Sequence, residues 1–409
     1  MSMKRRDFIK GTFAVGATAM LPINWVFAGN LPKGLSPLEV ESIKWTSVTD
    51  LPDYYKVLNS TPLNAYVADH MLDPTVTPAN VPFVRWNGLL PDFKAMDPKI
   101  WQFTVDGASC KTSKTYTIAD LKSKFKHHTY ALTLECGGNS RKNFYPSTKG
   151  NQWSDAAVYC SEWTGVLVSD VLKDCGVKDD AVYTGHHSID RHLSGKGDAI
   201  SRGVPIKYAL EDNALIAWSM NGEEIPYLHG YPLRIVFGGR PASVSSKAAT
   251  GISIRNVEHD GTKMGAPAYR VPKYPVAPGE KVALDDFDII EHMIVKSLIT
   301  HPQTGSELKL GQKTEVRGHA WAGPLEVVKM EVSYDYGSTW QLADLKKQPN
   351  KMAWQDWSVE LDLPQHGYYE IWSKATDSEG TSQPVVQPQW NPKGYMFNGC
   401  HRIAVRVQA

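Results

Sequence analysis

The stretch Val327–Gln341, VVKMEVSYDYGSTWQ, alternates apolar and polar residues and then breaks. Val328, Met330, Val332 and Tyr334 recur at every second position, which puts their side chains on one face of an extended strand. Asp335-Tyr336-Gly337 follows, a turn sequence in which glycine supplies a positive φ. Two other stretches have the same pattern. TEVRGHAWAG (314–323) alternates, and GYYEIWSKATDSEG (367–380) runs into a turn at Asp377–Gly380. Short alternating strands between Gly/Asp turns predict a β-sandwich of immunoglobulin type over residues 281–409.

Upstream the pattern is mixed. TYTIADLKSKF (115–125) reads as a strand end followed by a short helix capped by Thr117. GVLVSDVLKDCG (165–176) reads as an amphipathic helix ended by Gly176. LIAWSMNGEEIPY (215–227) has apolar runs on either side of Asn221-Gly222, a hairpin signal. The fold class is therefore α+β, with a mixed domain at 29–280 followed by the sandwich. A chain of 409 residues at 42% hydrophobic composition has ample core for both.

Residues 1–28 read as an address. Lys4-Arg5-Arg6-Asp7-Phe8-Ile9-Lys10 precedes the modest apolar segment GTFAVGATAML, and Val26-Phe27-Ala28 offers a small residue for cleavage. Paired arginines in this setting predict twin-arginine export, a route for folded proteins, and hence a periplasmic location. No later segment has the length of a membrane span. Lys+Arg 44 against Asp+Glu 43, with no basic run, leaves no electrostatic footprint for nucleic acid. The five cysteines are an odd number, with neither a CxxC pair for zinc nor a CxxCH for attached haem.

One thiol stands apart. In LTLECGGNSRKNFYP (132–146), Cys136 ends an apolar run and is followed by two glycines, which allow close backbone approach. Arg141, Lys149, Arg85 (in VPFVRWNG) and Lys393 (in WNPKGYMFNG) lie in polar, turn-like surroundings, and together with a reactive thiol they would form a cationic pocket for an oxyanion. His229 and Arg234, in HGYPLRI, flank a tight turn that could hold a phosphate. GHHSIDRH (185–192) has no standard zinc spacing and reads as a polar loop lining a site.

These pieces, in this order, resemble the sulfite oxidase family of molybdenum enzymes. LECGGN resembles its cysteine loop, and TKGNQW and WTGVLVSDVL its next segment. MNGEEIPYLHGYPLRIV is similar to its cofactor hairpin. MIVKSLITHP, RGHAWAG, VSYDYGSTW and WNPKGYMFNGCHRI resemble its C-terminal dimerisation domain. The resemblance implies a molybdenum-molybdopterin cofactor with Cys136 as its protein ligand, the soft thiolate staying deprotonated on a high-valent metal. It implies that Arg85, Arg141, Trp153, Tyr269 and Lys393 line the sulfite pocket. Asn87, Lys149, His229, Arg234 and Lys247 fall with the cofactor contacts. Lys393 stands where animal enzymes have arginine, and Asn87 near a family histidine. The segment GGRPASVSSKA keeps Lys247 but loses a family arginine.

The resemblance further implies oxidation of sulfite to sulfate, with electrons passed one at a time to an external c-type cytochrome. No haem is expected in this chain, and the chain is expected to form a homodimer. Other readings are the molybdenum subunit of a sulfane dehydrogenase acting on carrier-bound sulfur, a methionine sulfoxide reductase, and a non-catalytic periplasmic binding protein.

Overall fold

Strands dominate. The computed structural model describes residues 51–211 and 213–409, which contain 23 strands and three α-helices of six to eight residues. The expected export signal at 1–28 lies outside the described residues. None of the helices described is long and apolar enough to cross a membrane.

Thr117 opens the helix Ile118–Lys124 with a full capping box, its hydroxyl accepting from Asp120 N while the Asp120 carboxylate accepts from Thr117 N. Asn221 and Gly222 take φ values of 54° and 84° and join the strand Leu215–Met220 to Glu223–Glu224. The helix expected over 165–176 begins only at Val168. Gly165, Val166 and Leu167 instead end the strand Val158–Leu167, because they pair with Ala217, Ile216 and Leu215. Ladder hydrogen bonds to a neighbouring strand outweigh the helical periodicity there.

The first domain is organised by two sheets. One has the order Glu223–Glu224, Leu215–Met220, Val158–Leu167, His127–Glu135, and Arg234–Val236 also pairs with Leu215–Met220. The other runs Lys114–Thr117, Gln102–Asp106, Ala249–Arg255, Tyr183–Ser188. A smaller sheet ends in Val84–Arg85. Cys136, Arg234 and Arg85 are thus carried at strand ends or within strands, a stiffer support than a long loop.

The second domain is a two-sheet sandwich. Lys296–His301, Thr314–Trp321, Gln355–Leu361 and Asp344–Leu345 form one layer. Glu307–Lys309, His401–Gln408, Gly367–Asp377, Val327–Ser333 and Gln341–Leu342 form the other. Ile299, Val316, Val332, Trp357, Ile371 and Val405 fill the space between them. The face expected for Val328 is wrong: it is 58% exposed, and Val327 is buried in its place. The register shifts between Val327 and Lys329, and this bulge displaces the side-chain alternation by one residue.

The two domains share a core. Leu298, Trp321, Met352 and Trp354 pack into the apolar cluster of the first domain. Trp354 stacks on His319 with centroids 3.9 Å apart and donates from Nε1 to Thr75 O. His319 reaches Leu72 O through Nε2 and Asp356 Oδ1 through Nδ1. Burial works to raise the Asp356 carboxyl, but hydrogen bonds from His319 and Thr75, with Lys346 nearby, outweigh it and hold the group below its ordinary value. A folded-state pKa below the unfolded one gives stability that is present above about pH 4 and lost as pH falls through the folded value. Asp356→Asn should therefore lower the unfolding temperature at pH 7 by roughly 3–6 °C. Thermal melts should show the gap between variant and parent closing toward pH 3; a gap unchanged at pH 3 would assign the loss to something other than the carboxylate's charge.

Candidate active site

The strand His127–Glu135 delivers Cys136 to a tight turn. Cys136 N donates to Ala157 O, Asn139 N donates back to Cys136 O, and Arg141 N donates to Gly138 O. Asn139 pins the turn from both ends of its amide: Nδ2 donates to Glu135 Oε1, and Oδ1 accepts from Ala157 N. Cys136 is buried, at 9% exposure, and its thiol is free.

Gly138, and Gly394 from the second domain, make room for Arg141. A Cβ on Gly138 would fall 2.3 Å from Arg141 Nη2, and one on Gly394 would fall 2.8 Å from Arg141 Cγ and 2.1 Å from Thr148 Oγ1. Arg141 is threaded between these backbones at 6% exposure, donating from Nε to Lys393 O and from Nη1 to Asn151 O. Its guanidinium carbon also lies 5.2 Å from the centre of the Tyr395 ring.

Two cavities meet at Arg85, Cys136 and Tyr269. The first, about 670 Å³ with its mouth, is also lined by Asn87, Asp190, His229, Arg234, Lys247 and the serines Ser243, Ser245 and Ser246. His229 Nε2, Arg234 Nε and Ser243 Oγ are buried there without a hydrogen-bond partner. Burial pushes the His229 imidazole well down, and Lys247 and Arg234 push it further. Burial, then Arg234, likewise hold the Lys247 ammonium well below its ordinary range, with Arg85 adding to the effect and Asp190 opposing it. Burial raises the Asp190 carboxyl. Orphan donors crowded among mutually repelling cations leave a site short of negative charge and of acceptors. A phosphate-bearing ligand supplies both, and the Cys136 sulfur in the same lining suits a soft metal ligand set, so the residues present fit a metal-pterin phosphate.

The second cavity, about 610 Å³ with its mouth, adds Arg141, Lys149, Gly150, Asn151, Trp153, Lys393 and Tyr395. Its lining holds four cationic side chains and no carboxylate. Trp153 forms a rigid wall, edge-on to Tyr66 and Phe83. Arg85 is fixed by donating from Nη1 to Asn64 Oδ1 and Trp86 O and from Nη2 to Asn87 Oδ1, an oxygen that Lys263 Nζ also reaches at 2.8 Å. Burial, then Arg85, push the Lys263 ammonium down to about 8, against Asp190. Tyr269 sits at φ 50°, stacked on Tyr395 with centroids 5.5 Å apart, and the Arg202 guanidinium is 4.5 Å from its ring centre. Such an enclosure suits a small, oxygen-rich anion.

The residues singled out in the sequence divide between these cavities. Arg85, Arg141, Trp153, Tyr269 and Lys393 line the second; Asn87, His229, Arg234 and Lys247 line the first. Lys149, expected with the cofactor contacts, stands in the second cavity beside Arg141. The stretch 185–192 is not a loop throughout, since His186 and His187 belong to the strand Tyr183–Ser188. His186 is buried against Phe237, and the segment reaches the first cavity through Ser188 and Asp190. Ser243, Ser245 and Ser246 were missed, although a serine-rich run ending in Lys247 is a legible sign of an anion cradle. Tyr395 was missed because nothing in its local sequence places it beside Cys136.

Known proteins resemble this chain in both halves. Residues 90–263 match the family model described as the oxidoreductase molybdopterin binding domain, and residues 287–408 match the Mo-co oxidoreductase dimerisation domain. Sulfite oxidase of Gallus gallus is 30% identical over 360 residues, covering 85% of this chain and 77% of that protein. Mitochondrial sulfite oxidase of Rattus norvegicus is 29% identical over 373 residues, covering 86% of this chain, which spans 65% of the rat protein's length. The sulfane dehydrogenase SoxCD from Paracoccus pantotrophus superposes with a TM-score of 0.69 at 20% identity, covering 94% of this chain and 97% of that one, a likeness of fold.

Proposed function

The chain belongs to the sulfite oxidase family of molybdopterin oxidoreductases, and from that premise we propose that it oxidises sulfite to sulfate and passes two electrons, one at a time, to a separate c-type cytochrome. The observation that carries this reading is the second cavity, lined by four cationic side chains and no carboxylate and sharing Cys136 with the cofactor cavity. When bound, the molybdenum centre supplies a two-electron redox couple, so that sulfite and water become sulfate, two protons and two electrons.

The chain's own residues do the rest. Cys136 holds the metal through its thiolate, while His229, Arg234, Ser243 and Lys247 hold the cofactor's phosphate. Arg85 and Arg141 grip the substrate oxygens with paired N–H donors, and Lys393 adds a point charge. The two guanidinium groups are fixed by their own hydrogen bonds before substrate arrives, so little reorganisation is needed as charge builds toward the sulfate dianion. Tyr269, which lines both cavities with Cys136, would offer its hydroxyl to the reacting oxygens, and Trp153 walls the pocket.

Export through residues 1–28 would place this chemistry in the periplasm, and the dimerisation domain supports a homodimer. Lys393→Met should raise KM for sulfite at least tenfold with kcat changed less than about threefold, as expected for loss of uniform binding, and Lys393→Arg should restore it. Steady-state kinetics check this; an unchanged KM in Lys393→Met would take Lys393 out of the substrate's reach.

A further inference from the structure

Glu135, the residue before Cys136, is a carboxylate at 2% exposure. Its Oε1 accepts from Asn139 Nδ2 at 3.0 Å and from Lys296 Nζ at 3.4 Å, and its Oε2 accepts from Trp321 Nε1 at 2.7 Å. Lys296 and Trp321 are not local. They face each other in register on two strands of the sandwich domain. Lys296, at 4% exposure, makes its shortest bond to Ser140 Oγ, at 2.7 Å. One ammonium from the second domain therefore ties both ends of the turn that carries Cys136, Glu135 before it and Ser140 after it. Ser140 holds a left-handed φ of 63° and immediately precedes Arg141.

Two buried charges are a costly way to join two domains, because desolvation consumes most of their attraction and an apolar pair would serve as well. A second carboxylate, Asp155, faces the same lysine. Burial works to raise it, but His401, Lys296, Ser140 and Lys142 together hold it below its ordinary value. What the charges add beyond adhesion is direction. Lys296 reaches two fixed oxygens of one turn, and Trp321 and Asn139 fix the Glu135 carboxylate from two further sides. The turn has little freedom left, and Cys136 points where this frame aims it.

We propose that Lys296, acting through Glu135 and Ser140, is a positioning residue by which the sandwich domain aims the Cys136 thiolate and the neighbouring Arg141. This rests on Cys136 being the protein ligand of the metal. Partners of a metal ligand commonly govern metal affinity by about 10- to 100-fold.

The test uses the full chain purified with its cofactor, in four variants: Lys296→Met, Glu135→Gln, the two combined, and Arg317→Met. The last removes a different ion pair between the domains, Arg317 Nη2 to Asp73 Oδ2 at 3.0 Å, remote in sequence from the cysteine turn. Unfolding temperature, molybdenum retained per chain after dialysis and the thiolate-to-metal charge-transfer absorption are measured. Lys296→Met should retain at least about tenfold less molybdenum and show a displaced band. Arg317→Met should melt earlier yet keep the parent's metal and band. The combined variant should recover part of the unfolding temperature while its band stays displaced.

Metal loss that merely follows the unfolding temperature, equally in Lys296→Met and Arg317→Met with an unmoved band, would overturn the proposal. If Lys296→Met does not fold, Glu135→Gln decides, since it keeps the side chain's volume: a displaced band is expected, and the parent's band would overturn it. A parent chain purified without molybdenum would instead overturn the assignment of Cys136 beneath the proposal.

Discussion

Cys136→Ser should reduce sulfite oxidation by about three orders of magnitude or more while leaving the protein folded. The exchange is nearly isosteric, and the turn is held by backbone bonds and by Asn139, none of which uses the sulfur. What changes is the proposed metal ligand. A thiol gives up its proton to a metal readily, whereas a serine hydroxyl is a harder and far weaker acid. Cys136 is also the one cysteine lining either cavity; Cys160 lies buried in the strand Val158–Leu167, its thiol pushed up to about 12 by burial. No other sulfur among the described residues is placed to substitute. Ferricyanide-coupled turnover together with metal content checks the outcome. A variant that kept more than about a tenth of the parent's rate, a loss of less than about 1.4 kcal/mol in barrier terms, would remove Cys136 from the reaction.

Arg141→Met should lower kcat/KM for sulfite by about 10²- to 10³-fold, the cost of removing one fixed donor aimed at developing negative charge. The effect is expected at the large end because Arg141 does two things. On the proposed reading it offers donors to the anion, and it also ties Lys393 O to Asn151 O, so its removal loosens two walls of the pocket. Arg141→Lys should not restore the loss. The slot between Gly138, Gly150 and Gly394 is shaped for a planar fork, and an ammonium cannot reach both carbonyls and the substrate together. Steady-state kinetics with a parallel melt separates this from unfolding. A change in kcat/KM of less than about threefold in a folded variant would contradict the role.

Much of the molecule is written locally and can be read locally. The Thr117 cap, the Asn221-Gly222 hairpin and the alternating strands of the sandwich each depend on a few neighbouring residues. Where the expectation failed, the deciding interaction lay elsewhere in the chain. Val328 faces solvent because of a bulge against the strand Gly367–Asp377, and Gly165–Leu167 became strand because Leu215–Ala217 pairs with them. The pocket divides in the same way. Cys136 and Arg141 announced themselves by their glycines and by resemblance to a family. Tyr395 and Lys296 are far from Cys136 in the chain, and they reach the cysteine turn only because the second domain folds back onto the first. The joining of two cavities at one thiol is a property of the folded chain alone.

The most direct test gives the molybdenum-loaded protein sulfite with ferricyanide, and then with oxidised cytochrome c. Saturable turnover is expected, with two one-electron acceptors reduced and one sulfate formed per sulfite consumed. Loaded protein that left sulfite untouched while oxidising sulfane sulfur presented on a carrier protein would contradict it.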